Sequence, residues 1–161
     1  MYIRVAEQKD IAELINIISS VFKEFDFIFD VNVELPDVIN FKDFYGNSEH
    51  TLFVMEHNNN IVGCGALRLD KTGGIITRVY LKRKFRGQGL GKRLVNHLID
   101  FAQESGAKHL SLWTDTRFTI AHNLYSSLGF SRTKKQRPLN DVNESYEIYF
   151  EMNLYKTRMH N

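Results

Sequence analysis

Residues 82–93 read KRKFRGQGLGKR, with Gly87, Gly89 and Gly91 on alternate positions among six lysines and arginines. Glycine lets backbone amides approach a ligand closely, and the positive charge around it favours an anion. Three phosphate sites compete for the stretch. A nucleotide P-loop needs four residues between its first glycine and a Gly-Lys-Ser/Thr ending. Gly87 and Gly91 enclose three, and Arg93 stands where the magnesium-binding hydroxyl belongs. A dinucleotide fingerprint needs G-x-G-x-x-G and an acid about 20 residues later. The spacing here is G-x-G-x-G, and an acid such as Glu104 falls inside the helix that follows. The third site is a pyrophosphate cradle at a helix start, where the first turn has unpaired N–H groups and a partial positive charge. Against it stands a plain solvated basic turn, and the glycines alone do not choose between the two.

The flanks carry more information. IITRVYLK before the cradle is rich in β-branched and aromatic residues and predicts a strand over 75–82. Leu90, Leu94, Leu98, Ile99 and Ala102 recur at helical spacing, with Gly106 as the stop. His109 to Trp113 predicts a second strand, so strand, helix and strand form a parallel crossover. Ile120, Leu124 and Leu128 mark a short helix ending at Gly129. Upstream, Tyr2–Val5 is a strand candidate, and Gln8 to Phe25 shows one apolar helical face. Residues 26–50 are irregular, with a short helix over Pro36–Tyr45 or a loop as alternatives. TLFVMEH, Asn58-Asn59-Asn60 and IVGCGALRL predict a hairpin. Phe130 onward and Tyr146–Leu154 supply a final antiparallel pair.

Arg78-Val-Tyr-Leu, then Arg86-x-x-Gly89-x-Gly91, a helix, a strand and Leu124-Tyr125-x-x-Leu128-Gly129-Phe130 resemble the GNAT N-acetyltransferase superfamily. The resemblance is strongest over about residues 51–130. It implies an α/β (α+β) fold with a mixed, mostly antiparallel twisted sheet, a splayed central parallel pair and flanking helices. It implies one domain over 1–155 and a C-terminal tail over 156–161. By position, the backbone of Val79, Tyr80 and Leu81 would contact the pantetheine arm of acetyl-CoA. Arg86, Gly87, Gln88, Gly89, Leu90, Gly91 and Lys92 would hold the pyrophosphate through backbone amides. Tyr125 matches the family tyrosine beside the coenzyme sulfur, where a phenol can donate a proton; packing between helix and sheet is its alternative role.

The implied reaction is direct attack of an amine on the thioester, with acetyl-CoA as co-substrate and no covalent enzyme intermediate. An alkylammonium with pKa ~10.4 has no lone pair, so the amine must be uncharged. Many relatives carry a glutamate base on the strand before the cradle, but Gly74-Ile75-Ile76-Thr77 has no carboxylate. Asp115, His122, Glu24, Asp26 or a water chain remain open as substitutes, with capping of the next helix the commoner role for residues such as Asp115 and Thr116. Phe118 stands where many members bond pantetheine with an asparagine; Thr119 and Asn123 lie nearby. A non-catalytic acyl-CoA-binding or regulatory module is the rival function. The segment Glu24-Phe-Asp-Phe-Ile-Phe-Asp30 would roof the acceptor, either holding a cationic amine or filling core. The acceptor, a small molecule or a peptide, is open, and the resemblance allows a homodimer.

Composition sets the outer bounds. At 161 residues with 43% hydrophobic content, the chain is long enough for one core without disulfides or metal. Its one cysteine, Cys64, has no internal partner and reads as a buried filler. No secretory signal is legible in MYIRVAEQKD, and no apolar run approaches the roughly 20 residues that span a bilayer. The expectation is a cytoplasmic protein without a membrane partner. A net charge of +2 is too small to argue for nucleic acid. The six histidines show no metal-ligand spacing, so no metal is expected. His97 is expected to face solvent, and Lys134, Lys135 and Arg137 to lie in a solvated loop.

Overall fold

The computed structural model describes residues 1–154; the expected tail at 156–161 lies outside the described residues. The described strands are β1 (Tyr2–Val5), β2 (His50–His57), β3 (Asn60–Leu69), β4 (Gly74–Leu81), β5 (His109–Asp115), β6 (Ser131–Pro138) and β7 (Tyr146–Asn153). They form one sheet in the order β1-β2-β3-β4-β5-β7-β6. Every neighbouring pair is antiparallel except β4 and β5. The expected mixed sheet with a central parallel pair is therefore present.

The helices are α1 (Ile11–Glu24), α2 (Val31–Glu34), α3 (Pro36–Ile39), α4 (Phe41–Tyr45), α5 (Leu90–Glu104) and α6 (Thr119–Ser127). Alternation along β2 sorts the two faces: Leu52 and Val54 pack toward α1, and Phe53 packs toward α5. On the α1 face, Leu14, Ile17 and Ile18 meet Leu35 and Val38 over the first strands. On the other, Val95, Leu98 and Ile99 of α5 meet Ile76, Leu112 and Phe150. The expected helix over Pro36–Tyr45 is instead two short helices, preceded by a third. The break follows from Asn40, whose side-chain amide donates to the Pro36 carbonyl at 2.8 Å and closes the first turn.

The feature that shapes the sheet is a bulge in β4. Cys64 pairs with Tyr80 and Ala66 with Thr77, so Gly65 alone faces both Arg78 and Val79. Arg78 sits at φ 55, a left-handed conformation that a side chain rarely adopts. A bulge bends its strand and increases its twist. Pairing between β4 and β5 accordingly stops at Ile76–Leu112. Beyond that point β4 stays with β3, as Tyr80–Cys64 and Leu81–Gly63, while β5 stays with β7.

Two side chains pin the bulge. Asp37 of α3, 7% exposed, pairs with the Arg78 guanidinium at 2.7 Å and also accepts from the Tyr45 hydroxyl. The Arg78 carbonyl, which the bulge takes out of the ladder, accepts the Cys64 thiol at 3.2 Å. Cys64 is buried, as expected, and burial pushes its thiol up to about 12. Burial alone would raise the Asp37 carboxyl, but Arg78 and the Tyr45 hydroxyl hold it below its ordinary value. Its contribution to stability is present above the unfolded value, about 4, and is lost as pH falls through the lower folded value.

Asp37→Ala would leave Arg78 half-buried without its counter-ion. Urea unfolding at pH 7 should show a loss of about 3 kcal/mol, the low end for a broken buried pair because Arg78 keeps some solvent contact. The difference between wild type and variant should shrink as pH falls below about 4. A loss under about 0.5 kcal/mol, the scale of an ordinary surface change, would remove the pair as the anchor of the bulge.

Candidate functional site

The cradle follows β4 through a 3₁₀ turn at Arg83–Phe85. Gly87 and Gly89 have φ values of 76 and 78, and a Cβ at either position would meet nothing within 4 Å. Both glycines are therefore required by conformation, and the space before them is open. Gly89 precedes α5, whose amides at Leu90, Gly91 and Lys92 come before the first helical bond, Arg93 N–H to Gly89 carbonyl at 3.0 Å. This open concavity at the positive end of a helix fits a pyrophosphate. Its charged side chains are secondary. Arg86 turns to Glu24, at 2.7 Å, and to the Leu81 carbonyl, at 2.9 Å. Arg93 donates to the Met1 carbonyl, and the Gln88 amide donates to the Lys84 carbonyl.

Behind the cradle lies the gap opened by the bulge. The β5-facing edge of Thr77–Leu81 has no strand beside it, so main-chain groups there, apart from the Arg78 and Leu81 carbonyls already bonded to Cys64 and Arg86, are available to an extended ligand. The backbone of Val79, Tyr80 and Leu81 sits on this edge, which joins them spatially to residues 86–92. The Val79 side chain packs toward α5, and Tyr80 packs toward α1. Burial pushes the Tyr80 phenol up to about 12, against the opposing charge of Arg78.

The gap opens into a cleft of about 930 Å³ between the α1–α4 roof and the β5–β7 half of the sheet. Tyr125 of α6 lines it and is 5% exposed. Its ring rests against Phe130 and Phe150, at 5.9 Å each. Its hydroxyl has no hydrogen-bond partner among the described residues, which is unusual for a buried polar group. Burial, with the nearby Tyr80, pushes the phenol up, so it remains a protonated donor.

The four side chains named as substitute bases fare differently. Asp115 holds Arg117 through two bonds of 2.9 and 2.7 Å and accepts the Arg117 amide, forming a turn. It does not cap α6, whose N-cap is Phe118. His122 is buried, with Nε2 against the Asp115 carbonyl at 2.8 Å. Glu24 is taken by Arg86, and Asp26 is exposed at φ 56 in the turn after α1. Phe118 joins Phe25 and Phe27 in an aromatic cluster, and the Arg117 guanidinium lies 4.0 Å over Phe27. The Asn143 side chain bonds both the amide and the carbonyl of Ile28, at 2.8 and 2.9 Å. These contacts strap the loop after α1 to the β6–β7 connection.

Two expectations need correction. His97 is half-buried, edge-on to Phe53 at 4.8 Å, and burial holds its imidazole below the usual value. Lys134, Lys135 and Arg137 belong to β6. There Lys135 lies over Tyr149, and Arg137 lies over Trp113 while pairing with Glu147. Glu34, in the irregular segment, was not among the expected site residues. It lines the cleft, its backbone carbonyl accepts Arg78 Nη2 at 2.9 Å, and only its place after a capping Asp30 was readable from sequence.

Among the described residues no cluster of three or more His, Cys, Asp or Glu could hold a metal, and no helix is long and apolar enough to cross a membrane. The chain is similar to an acetyltransferase of the GNAT family from Staphylococcus aureus Mu50, with a TM-score of 0.81 and 25% identity across 95% of this chain and 98% of that one. A putative acetyltransferase from Salmonella typhimurium, solved with its cofactor acetyl-CoA, shares the fold at a TM-score of 0.71 and 20% identity, covering 100% of this chain and 98% of that one. An IAA acetyltransferase of Azospirillum brasilense is 31% identical over 80 residues, 48% of this chain and 52% of that protein. An uncharacterized N-acetyltransferase of Bacillus subtilis is 33% identical over 85 residues, 51% of this chain and 56% of that protein. The chain thus spans about half the length of the curated relatives it matches. The sequence profile of the acetyltransferase (GNAT) family matches residues 18–130, and with the splayed parallel pair and the cradle at its end, the chain belongs to that family.

Proposed function

We propose that this chain transfers an acetyl group from acetyl-CoA to a primary amine by direct attack in a ternary complex. One observation carries the reading: the backbone edge at Thr77–Leu81 is free of β5 and connects the open glycine cradle to the cleft. A pyrophosphate would rest on the amides of residues 87–92, since the Arg86 amide donates to the Arg83 carbonyl; an amide-bearing arm would extend the sheet along Val79–Leu81, and the thioester would lie near Tyr125. Acetyl-CoA, bound in the Salmonella neighbour, supplies an activated acyl carbon and a thiolate leaving group. A small-molecule or peptide amine would enter from the cleft. The absence of a suitable transmembrane helix among the described residues is compatible with a cytoplasmic setting.

Tyr125 supports the chemistry by donating a hydrogen bond to the developing thiolate. Complete proton transfer from so weak an acid would be uphill toward an ordinary thiolate, whose conjugate pKa is ~8.5. Its task is therefore to stabilise charge on sulfur as the C–S bond breaks, in a setting where water does not compete. The absence of a carboxylate on Gly74–Thr77 of β4 keeps a second reading in view, an acyl-CoA-binding module without catalysis.

Thiol release from acetyl-CoA, measured across a panel of alkylamines, diamines, amino acids and short peptides, distinguishes the two. Amine-dependent release is expected, and Tyr125→Phe should lower kcat about 100-fold with coenzyme Kd nearly unchanged. Tight coenzyme binding without amine-dependent release would favour the binding module. Gly89→Ala should cost about 1–2 kcal/mol of stability from its left-handed backbone. It should also weaken coenzyme binding at least tenfold by calorimetry. Unchanged affinity in that variant would take the pyrophosphate away from these amides.

A further inference from the structure

Most acids lining the cleft are already engaged. Asp37 serves Arg78 and Tyr45, Asp115 holds Arg117, and Glu147 pairs with Arg137. Asp141 accepts the Ser145 amide at 2.7 Å. Asp43 is exposed. Glu34 stands apart: it is half-buried, and its carboxylate has no hydrogen-bond or ion-pair partner among the described residues. Its main chain is nonetheless fixed, because its carbonyl receives Arg78 Nη2 at the bulge where β4 leaves β5. Glu34 lines the same cleft as Thr77, Val79, Tyr80 and Tyr125, and its charge is felt by the Tyr80 phenol on β4.

We propose that Glu34 is the proton acceptor for the attacking amine, a catalytic residue supplied by α2 in place of the carboxylate that β4 lacks. The proposal rests on the acyltransferase reading of the same cleft. The neutral amine nitrogen forms a bond to the acyl carbon and becomes acidic, and its proton passes to a Glu34 carboxylate oxygen. The C–S bond breaks with its electron pair on sulfur, where the Tyr125 hydroxyl stabilises the thiolate by a hydrogen bond, and the departing thiolate takes its proton from solvent. Glu34 returns its proton to solvent, so amine and thioester become amide and thiol with no net change in the enzyme.

The surroundings suit this role. Charged and titratable groups facing Glu34 are Asp30 on its own segment, Asp141 on the β6–β7 connection, and Arg78 and Tyr80 on β4. Burial raises its carboxyl above the ordinary glutamate value, Asp141 and Asp30 raise it further, and Arg78 opposes them. A carboxylate of raised pKa is a stronger base than an ordinary glutamate.

The test compares wild type, Glu34→Gln and Glu34→Asp by thiol release from acetyl-CoA with the best amine of the panel, over a range of pH. In wild type, kcat/KM should rise with pH through a limb lying above the ordinary glutamate range, as Glu34 loses its proton. In Glu34→Gln that limb should vanish, leaving only the rise from amine ionisation, and kcat/KM should fall about 100-fold. Glu34→Asp should keep the limb and recover part of the rate. Coenzyme Kd should be the same in all three. Glu34→Gln with wild-type rates, or with low rates but the limb retained, overturns the proposal. A wild-type protein inert toward every amine overturns the acyltransferase reading and the base together, so the two failures are distinct.

Discussion

The ion pair between Arg78 and Asp37 is the contact on which the rest of the site depends. An arginine in a left-handed conformation costs about 1–2 kcal/mol of backbone strain. That strain persists because Asp37, the Glu34 carbonyl and the Cys64 thiol each hold a different part of the residue. The bulge so fixed turns β4 away from β5, and the turn leaves a strip of main chain unpaired in the middle of a sheet. Unpaired backbone inside a protein is costly unless something fills the place. Here the strip ends at an open cradle of amides, and one extended, anionic ligand could satisfy both.

The same pair links the two ends of the cleft. Asp37 and Glu34 belong to the short helices that roof it, so the residue that bends the sheet also sets the height of the roof. Two further ties act on the loop after α1. Glu24 fastens the end of α1 to Arg86 in the cradle, and Asn143 fastens Ile28 to the β6–β7 connection. Arg117 over Phe27 closes the aromatic side. The glycine cradle and the roof of the cleft are therefore joined at the end of α1 through the Arg86–Glu24 pair, a partly exposed contact that is weak on its own.

Much of this was legible in the sequence. Period-two patterning marked the hairpin at 51–69, helical spacing marked α1 and α5, and the glycine spacing at 87–91 marked the open turn that begins α5. Tyr125, singled out through LY-x-x-LGF, does line the cleft. The bulge was not legible, because nothing in Thr-Arg-Val signals a left-handed arginine; tertiary contacts with Asp37 impose it. Glu34 was hidden for a related reason, since it lies in a segment without periodicity whose shape comes from packing under α1. His97 and Arg137 were misplaced because a polar residue says little about the aromatic ring beside it. In each case the missing information was a long-range contact.

Hydrogen exchange of the backbone amides, with and without acetyl-CoA, tests the central claim most directly. Slowed exchange is expected in two stretches together, 77–81 on the free edge of β4 and 87–92 at the start of α5, because both supply main-chain bonds to the ligand. Protection absent from 77–81, or confined to the basic residues 82–86 and lost on adding salt, would contradict it.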